Sequence, residues 1–376
     1  VRSGDRLREA QPSTRTRTPL GAPLSSVREI RFNQAIHEAI DLSMARDPRV
    51  YLLGLGVPDP KGIFGTTVGL QQKYGDQRVL DMPTSENGMT GVAIGSALVG
   101  MRPLMIHQRV DFALLAMEQI VNQAAKWRYM FGGASRVPLV IRLIVGRGWG
   151  QGPQHSQSLH SWFAHVPGLK VVMPATPHDA KGLLIASIED DDPVVFLEHR
   201  WLHSTFGPVP EDSYSVPIGQ ARVSRPGRDV TLVAVSYMVL EALRAAEHLS
   251  RSGIDAEVID LRTLRPLDKK TVIESVRKTG RLIVADIGWK TGGFANEIIA
   301  VAVEEAFEFL RAPPKRLGLL DVPTPSTPGL ARYCYPRAVD LVKAAGEVLG
   351  RQESDLALPE ENCPLDVPDS SFAGPF

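Results

Sequence analysis

Two stretches of the chain hold side chains whose type and spacing could do chemistry. In residues 81–95, DMPTSENGMTGVAIG, Glu86 directly follows Ser85 where a short strand pattern passes into a helical one. A carboxylate in the first turn of a helix gains from the helix dipole. Gly88, Gly91 and Gly95 beyond it would let a ligand or a second backbone come close. In residues 146–158, GRGWGQGPQHSQS, an apolar strand runs into a loop with four glycines, then His155-Ser156-Gln157. Loops beyond the carboxyl ends of strands build sites in α/β sheets, and an imidazole there could move a proton or bind a developing oxyanion. Each stretch also has a plainer reading. Acidic residues are ordinary at helix starts, and a loop histidine can simply hydrogen-bond backbone. Arg142 and Arg147 flank the exit of the same apolar strand, where they could meet an anionic substrate or be solvated.

A third stretch invites a cofactor reading and fails it. Residues 50–60, VYLLGLGVPDP, end an apolar run in Gly-x-Gly, as a dinucleotide-binding strand does. The fingerprint needs a third glycine opening a helix, and here Asp59 stands between Pro58 and Pro60. Proline is costly in a helix interior and biases the residue before it away from helical angles. The stretch therefore predicts a buried strand entering a turn, with no phosphate cradle behind it. The chain also lacks a GxSxG elbow, HExxH, a Walker phosphate loop and a Cys-x-x-Cys pair.

Elements that would position these residues follow from periodicity. FNQAIHEAIDLSMA places Phe32, Ala35, Ile36, Ala39, Ile40 and Met44 on one helical face. RVLDMP, RPLMIHQ, VPLVIRLIV, LKVVMPA and DPVVFLE read as strands, and SENGMTGVAIGSALVG, FALLAMEQIVNQAAKWRYM and DAKGLLIASIED as helices between them. Strands apolar on both faces that alternate with helices predict a parallel sheet covered on both sides. A Pro- and Ser-rich break, HSTFGPVPEDSYSVP, precedes a second, smaller α/β unit that starts at Asp229. The expected organisation is a disordered extension over 1–26, a first domain over 27–210, a second over 211–350 and a poorly packed tail over 351–376.

Composition narrows the class. Lys plus Arg and Asp plus Glu both total 42, so the net charge is zero. Nucleic-acid or membrane-surface binding would want a positive excess. No apolar run reaches membrane-spanning length. Two cysteines, Cys334 and Cys363, are too few for a disulfide framework or a cysteine-built zinc site. A reducing compartment, the cytoplasm, is the expected location. The Arg-rich opening has no apolar core of the kind a secretory signal carries.

From Val27 to Leu349 the chain resembles the β subunit of the thiamine-diphosphate-dependent 2-oxoacid dehydrogenases, and the corresponding halves of transketolase. The resemblance is carried by KYGDQRVLDMPTSENGMTGVAIGSALVGMRP, DFALLAMEQIVNQAAKWRYMFGG, QHSQSLHSWFAHVPGLKVVMPATPHDAKGLL, DPVVFLE, EVIDLRTLRPLD and TGGFANEI, colinear over nearly the whole globular part. It implies two parallel-sheet domains, a pyrimidine-binding domain and a smaller transketolase-type C-terminal domain. It implies that Glu86 hydrogen-bonds pyrimidine N1′ of the cofactor, that Phe112 packs on that ring and that Gln108 belongs to the cofactor site. It implies that His155 stands over the substrate side. Asp190 and Asp192 fall where some relatives hold a structural potassium ion.

The Gly-Asp-Gly motif with which the family holds Mg²⁺ and the diphosphate is absent. The resemblance therefore implies a partner α chain that supplies that half, in an α2β2 assembly. Three departures from the family pattern bear on the role. Gly54-Leu55-Gly56 lacks an acid that relatives carry, and Ile106 stands where they often keep another. Arg311 stands where relatives commonly have an acid, on the surface that docks the acyltransferase core. The tail is long. The leading reading is the β subunit of an enzyme that decarboxylates a 2-oxo acid and transfers the acyl unit. Its rivals are a stand-alone C–C bond-forming synthase not docked to a lipoyl core, and a non-catalytic scaffold.

Overall fold

The computed structural model of the chain describes residues 27–147, 150–360 and 367–368. The extension expected at 1–26 lies outside them. The first sheet runs Thr263–Arg265, Lys170–Val172, Val194–His199, Val140–Val145, Arg102–His107, Val50–Leu53, Val79–Leu80. Every neighbouring pair is parallel except Thr263–Arg265, which comes from the second domain and pairs antiparallel with Lys170–Val172. The three central strands are buried almost throughout, as the unbroken apolar runs predict. The second sheet runs Lys315–Leu319, Leu282–Trp289, Val230–Ala234, Ala256–Asp260, Arg222–Arg225, with only the last strand antiparallel. A separate two-stranded ribbon pairs Val27–Arg31 with Phe206–Pro210.

Local chemistry sets the helices. Helix Phe32–Arg46 buries Phe32, Ala35, Ile36, Ala39, Ile40 and Met44, the predicted face. Each large apolar side chain buried there contributes about 1.5–3 kcal/mol. Helix Pro177–Glu189 packs beside it and starts with Thr176 accepting from the Asp179 N–H, with Pro177 at the first helical position. Helix Lys269–Thr279 is capped by Asp268, which accepts from the Thr271 N–H. The long helix expected over FALLAMEQIVNQAAKWRYM is helical but irregular. A short turn at Val110–Ala113 leads through Leu114–Ala116 into a π-helical segment, Gln119–Ala124, and then Ala125–Met130. Sequence periodicity does not reveal such a wide turn, which often accompanies functional sites.

Two expectations are corrected by packing. Arg142 and Arg147 are neither solvated nor at a substrate surface; both are fully buried. Arg142 lies inside strand Val140–Val145, and its Nε donates to Glu198 on the adjacent strand at 2.5 Å. Burial would raise the Glu198 carboxyl, but the charges of Arg142 and His203 outweigh it and hold it below its ordinary value. The tail is not poorly packed where it is described. Leu356 and Leu358 pack against the core, Ala357 donates to Ser252, and Arg337 donates to the carbonyls of Val367 and Pro368.

Candidate active site

Four adjacent parallel strands bring the sequence-predicted residues to one rim. In spatial order they are Val79–Leu80, Val50–Leu53, Arg102–His107 and Val140–Val145. The segment after each strand's carboxyl end supplies one part: Glu86, then Leu55, then Gln108 to Phe112, then the loop with His155. This is where open α/β sheets bind ligands.

Glu86 is the first residue of helix Glu86–Leu98 and is buried, at 7% exposure. Among the described residues no side-chain hydrogen bond or ion pair to it is found. Its carboxylate is open to a partner from outside the chain. The helix lies against strand Arg102–His107 and the irregular segment after Phe112. In that neighbourhood the Thr90 hydroxyl, both His107 nitrogens and one Asp111 oxygen are buried without hydrogen-bond partners. Burial pulls the His107 imidazole down to about 4, so it is neutral at physiological pH.

The Gly54-Leu55-Gly56 turn is structural. A Cβ on Gly54 would collide with the Ile106 carbonyl of the neighbouring strand, so only glycine fits. Leu55 is half-buried and packs on the core, and its carbonyl accepts from Gln108 Nε2 at 2.9 Å. Gln108 thus joins the two segments at the rim. Ile106 is fully buried within its strand.

Phe112 and His155 meet edge to face, with ring centroids 5.4 Å apart at 86°. His155 is exposed and closes a short turn, Pro153–His155. The loop is drawn shut by the Gly146 N–H donating to the Gln157 carbonyl at 3.1 Å. Gln157 Nε2 donates to Asp111 Oδ1 at 2.9 Å. Burial pushes the Asp111 carboxyl above its ordinary value, against the opposing bond from Gln157. Arg109 spans the loop, donating to the Gly146 carbonyl at 2.7 Å and to Gln151 Oε1. Burial and the Arg200 charge pull Arg109 down to about 10, which leaves it cationic. Sequence reasoning missed Arg109, Asp111 and Gln157 as a set. The available signal was polar residues flanking Phe112 at a strand exit.

Asp190 and Asp192 lie away from this rim and are already engaged by cationic side chains. Lys170 Nζ binds both Asp190 oxygens, at 2.7 and 2.6 Å, and Arg128 binds Asp192 at 2.5 Å. Among the described residues no group of three or more His, Cys, Asp or Glu side chains could hold a metal ion. No helix among them is long and apolar enough to cross a membrane. Arg311 is exposed, with its aliphatic stem laid against Gly280.

A half-buried aromatic ring, a carboxylate without a partner among the described residues and an imidazole on one rim suit a flat heteroaromatic group with a ring nitrogen to hydrogen-bond. The pyrimidine of thiamine diphosphate fits that description, while the described residues offer no carboxylate set for its Mg²⁺-diphosphate end.

The transketolase pyrimidine-binding domain matches residues 28–204 and the transketolase C-terminal domain residues 219–339. Pyruvate dehydrogenase E1 component subunit beta-2, mitochondrial, of Oryza sativa subsp. japonica is 43% identical over 347 residues, covering 91% of this chain and 92% of that protein. The acetoin:2,6-dichlorophenolindophenol oxidoreductase subunit beta of Cupriavidus necator is 45% identical over 332 residues, covering 86% of this chain and 98% of that one. Among solved structures, a chain described as "Split gene transketolase, inactive beta4 tetramer" superposes with a TM-score of 0.71 at 25% identity, covering 85% of this chain and 98% of that chain.

Proposed function

The chain belongs to the transketolase-like family of β subunits of thiamine-diphosphate-dependent 2-oxoacid dehydrogenases, and we propose that it forms the pyrimidine half of a site completed by an α-type chain. The reaction is decarboxylation of a 2-oxo acid and transfer of the acyl unit. The observation that carries this reading is Glu86, a buried carboxylate with no partner found among the described residues, on the rim that also holds Phe112 and His155.

Thiamine diphosphate, when bound, supplies the electron sink that lets the bond to the carboxylate break. Glu86 would hydrogen-bond pyrimidine N1′ and orient the ring. Phe112 would cover the ring face and keep water from it. Gln108 would fix the strand-end turn beneath it. His155, exposed beside Phe112, would donate or accept a proton at the substrate oxygen. The Mg²⁺ and diphosphate would be held by the partner in an α2β2 assembly, which the missing Gly-Asp-Gly supports. Two cysteines in 376 residues suit a reducing compartment, and we assign the cytoplasm.

The curated relatives named above carry dehydrogenase or oxidoreductase names, which favours this reading over a C–C bond-forming synthase or a scaffold. Identity of 45% to the acetoin-linked β subunit makes an α-hydroxyketone the second donor to try. The test is the assembled α–β enzyme reducing 2,6-dichlorophenolindophenol with pyruvate or acetoin, and hydrogen–deuterium exchange at cofactor C2. Glu86→Gln should slow both by 10²–10⁴-fold. Unchanged exchange removes Glu86 from the mechanism, and tight Mg²⁺-dependent cofactor binding by this chain alone overturns the two-chain site.

A further inference from the structure

The His155 imidazole makes no hydrogen bond or ion pair among the described residues; it meets the Phe112 ring edge to face. Where it stands is therefore set by the backbone of its loop. Among the described residues that loop is held by the Gly146–Gln157 neck, the His155 N–H on the Gly152 carbonyl at 3.2 Å, the Ser156 hydroxyl on the Gln151 carbonyl at 3.2 Å, and the bonds to Arg109 and Asp111 of the first domain.

Both ends of the loop run straight into the second domain. Arg147, one residue past the neck, donates from Nη1 to the Pro325 carbonyl at 2.5 Å and from Nη2 to the Ser326 carbonyl at 3.0 Å. His160 lies three residues beyond Gln157 and opens helix His160–His165. Its Nε2–H donates to Asp286 Oδ1 at 2.7 Å, on strand Leu282–Trp289 of the second sheet. The Asp286 carboxylate also accepts from the N–H groups of Gly288 and Ala295. Burial would raise Asp286, but His160 and those two N–H groups hold it below its ordinary value. Arg147 and His160 are both fully buried, and the Asp286 side chain is 3% exposed. Between the tethers a cavity of about 370 Å³ separates Pro153 and Gln157 of the loop from Trp289, Thr291 and Asp321 of the second domain.

We propose that Arg147 and the His160–Asp286 pair are positioning residues through which the C-terminal domain sets where His155 stands beside Phe112. This rests on the reading of His155 given above. A loop anchored at both ends by buried, charge-assisted bonds is held within a narrow range of positions. Misplacement of a catalytic group by about 1 Å can cost about 10²-fold in rate. The second domain thereby acquires a part in the chemistry.

The experiment uses the assembled α–β enzyme with pyruvate or acetoin as donor. His160→Leu removes the donor and keeps the bulk; it should lower kcat by about 10–100-fold, alter the pH–rate limb that depends on His155, and leave the cofactor Kd by calorimetry within twofold. His160→Gln, whose amide can reach the same oxygen, should recover most of the loss. Arg147→Met reads the other tether and should act in the same direction, which keeps the test open if His160→Leu fails to assemble. The double variant His155→Ala/His160→Leu should be no slower than His155→Ala, because His160 acts through His155. Full activity in both His160→Leu and Arg147→Met overturns the proposal, as does a loss additive with His155→Ala or a parallel collapse of cofactor affinity. If His155→Ala is itself fully active, the reading of His155 has failed instead.

Discussion

The pair Arg142–Glu198 offers a sharp test of how this fold tolerates charge. Both side chains are wholly buried, joined by one 2.5 Å bond. Nη1 and Nη2 of Arg142 and the second oxygen of Glu198 are buried without hydrogen-bond partners, with His203 Nε2 3.3 Å from that oxygen. Glu198→Gln keeps the shape and strands a guanidinium that cannot shed its proton. Breaking a buried pair from one side costs about 3–5 kcal/mol. At two to four degrees per kcal/mol for a domain of this size, even the lower figure is a fall of about 6–12 °C in Tm. Arg142→Met should cost less, because the orphaned carboxyl can be neutralised. Without the guanidinium, burial raises the folded-state value of Glu198 above its unfolded one, so the penalty should grow as pH rises from about 5 to 7 and stay small below. Arg142→Met/Glu198→Leu should come back to wild type or better, since well-packed apolar residues often replace such pairs at no cost. Urea denaturation at several pH values, with unchanged slope, measures all three. A double variant destabilised by the sum of the singles would refute the reasoning, as would an Arg142→Met cost independent of pH.

Gly146 has φ of 79°, and a Cβ there would collide with the ring of His199. Gly146→Ala should therefore lose about 1–3 kcal/mol and, by shifting the carbonyl that Arg109 holds, lower kcat; an unchanged Tm and kcat would contradict this. Asp260 is pushed up from 3.8 to about 8, chiefly by burial and then by Asp179. Its folded-state value is the higher one, so its contribution is complete below about pH 4 and is lost as pH rises to about 8, at about 1.4 kcal/mol per unit for one proton. Asp260→Asn should flatten that slope in urea titrations between pH 5 and 8, and an unaltered slope would dismiss the role of this carboxyl.

Some of this was legible in the sequence for identifiable reasons. Helix Phe32–Arg46 announces its buried face by period, and strand Val140–Val145 by an apolar run of the right length. Glu86 is marked by a helix start, His155 by a glycine-rich loop after a strand, and the strand-end turn at Gly56 by the prolines that follow. What stayed hidden depends on partners far along the chain. Arg142 looks like a solvated charge until Glu198, 56 residues later, closes on it. His160 reads as an unremarkable helical residue until Asp286, 126 residues away, meets it. The π-helical segment at Gln119–Ala124 has no compositional mark, and in the tail Leu356 and Leu358 stand singly among polar residues, while Arg337 catches two backbone carbonyls further on.

The antiparallel strand Thr263–Arg265 that finishes the first sheet is lent by the other domain. It leaves that sheet with one terminal strand of three residues and another, Val79–Leu80, of two, both too brief to template growth by a neighbouring molecule. A first domain produced without it would end instead at Lys170–Val172, a strand of the same length, with its amides unpaired along one side. The two halves of this chain, separable on paper at the Pro- and Ser-rich junction, thus share one sheet, and the first has its last strand only when the second is folded beside it.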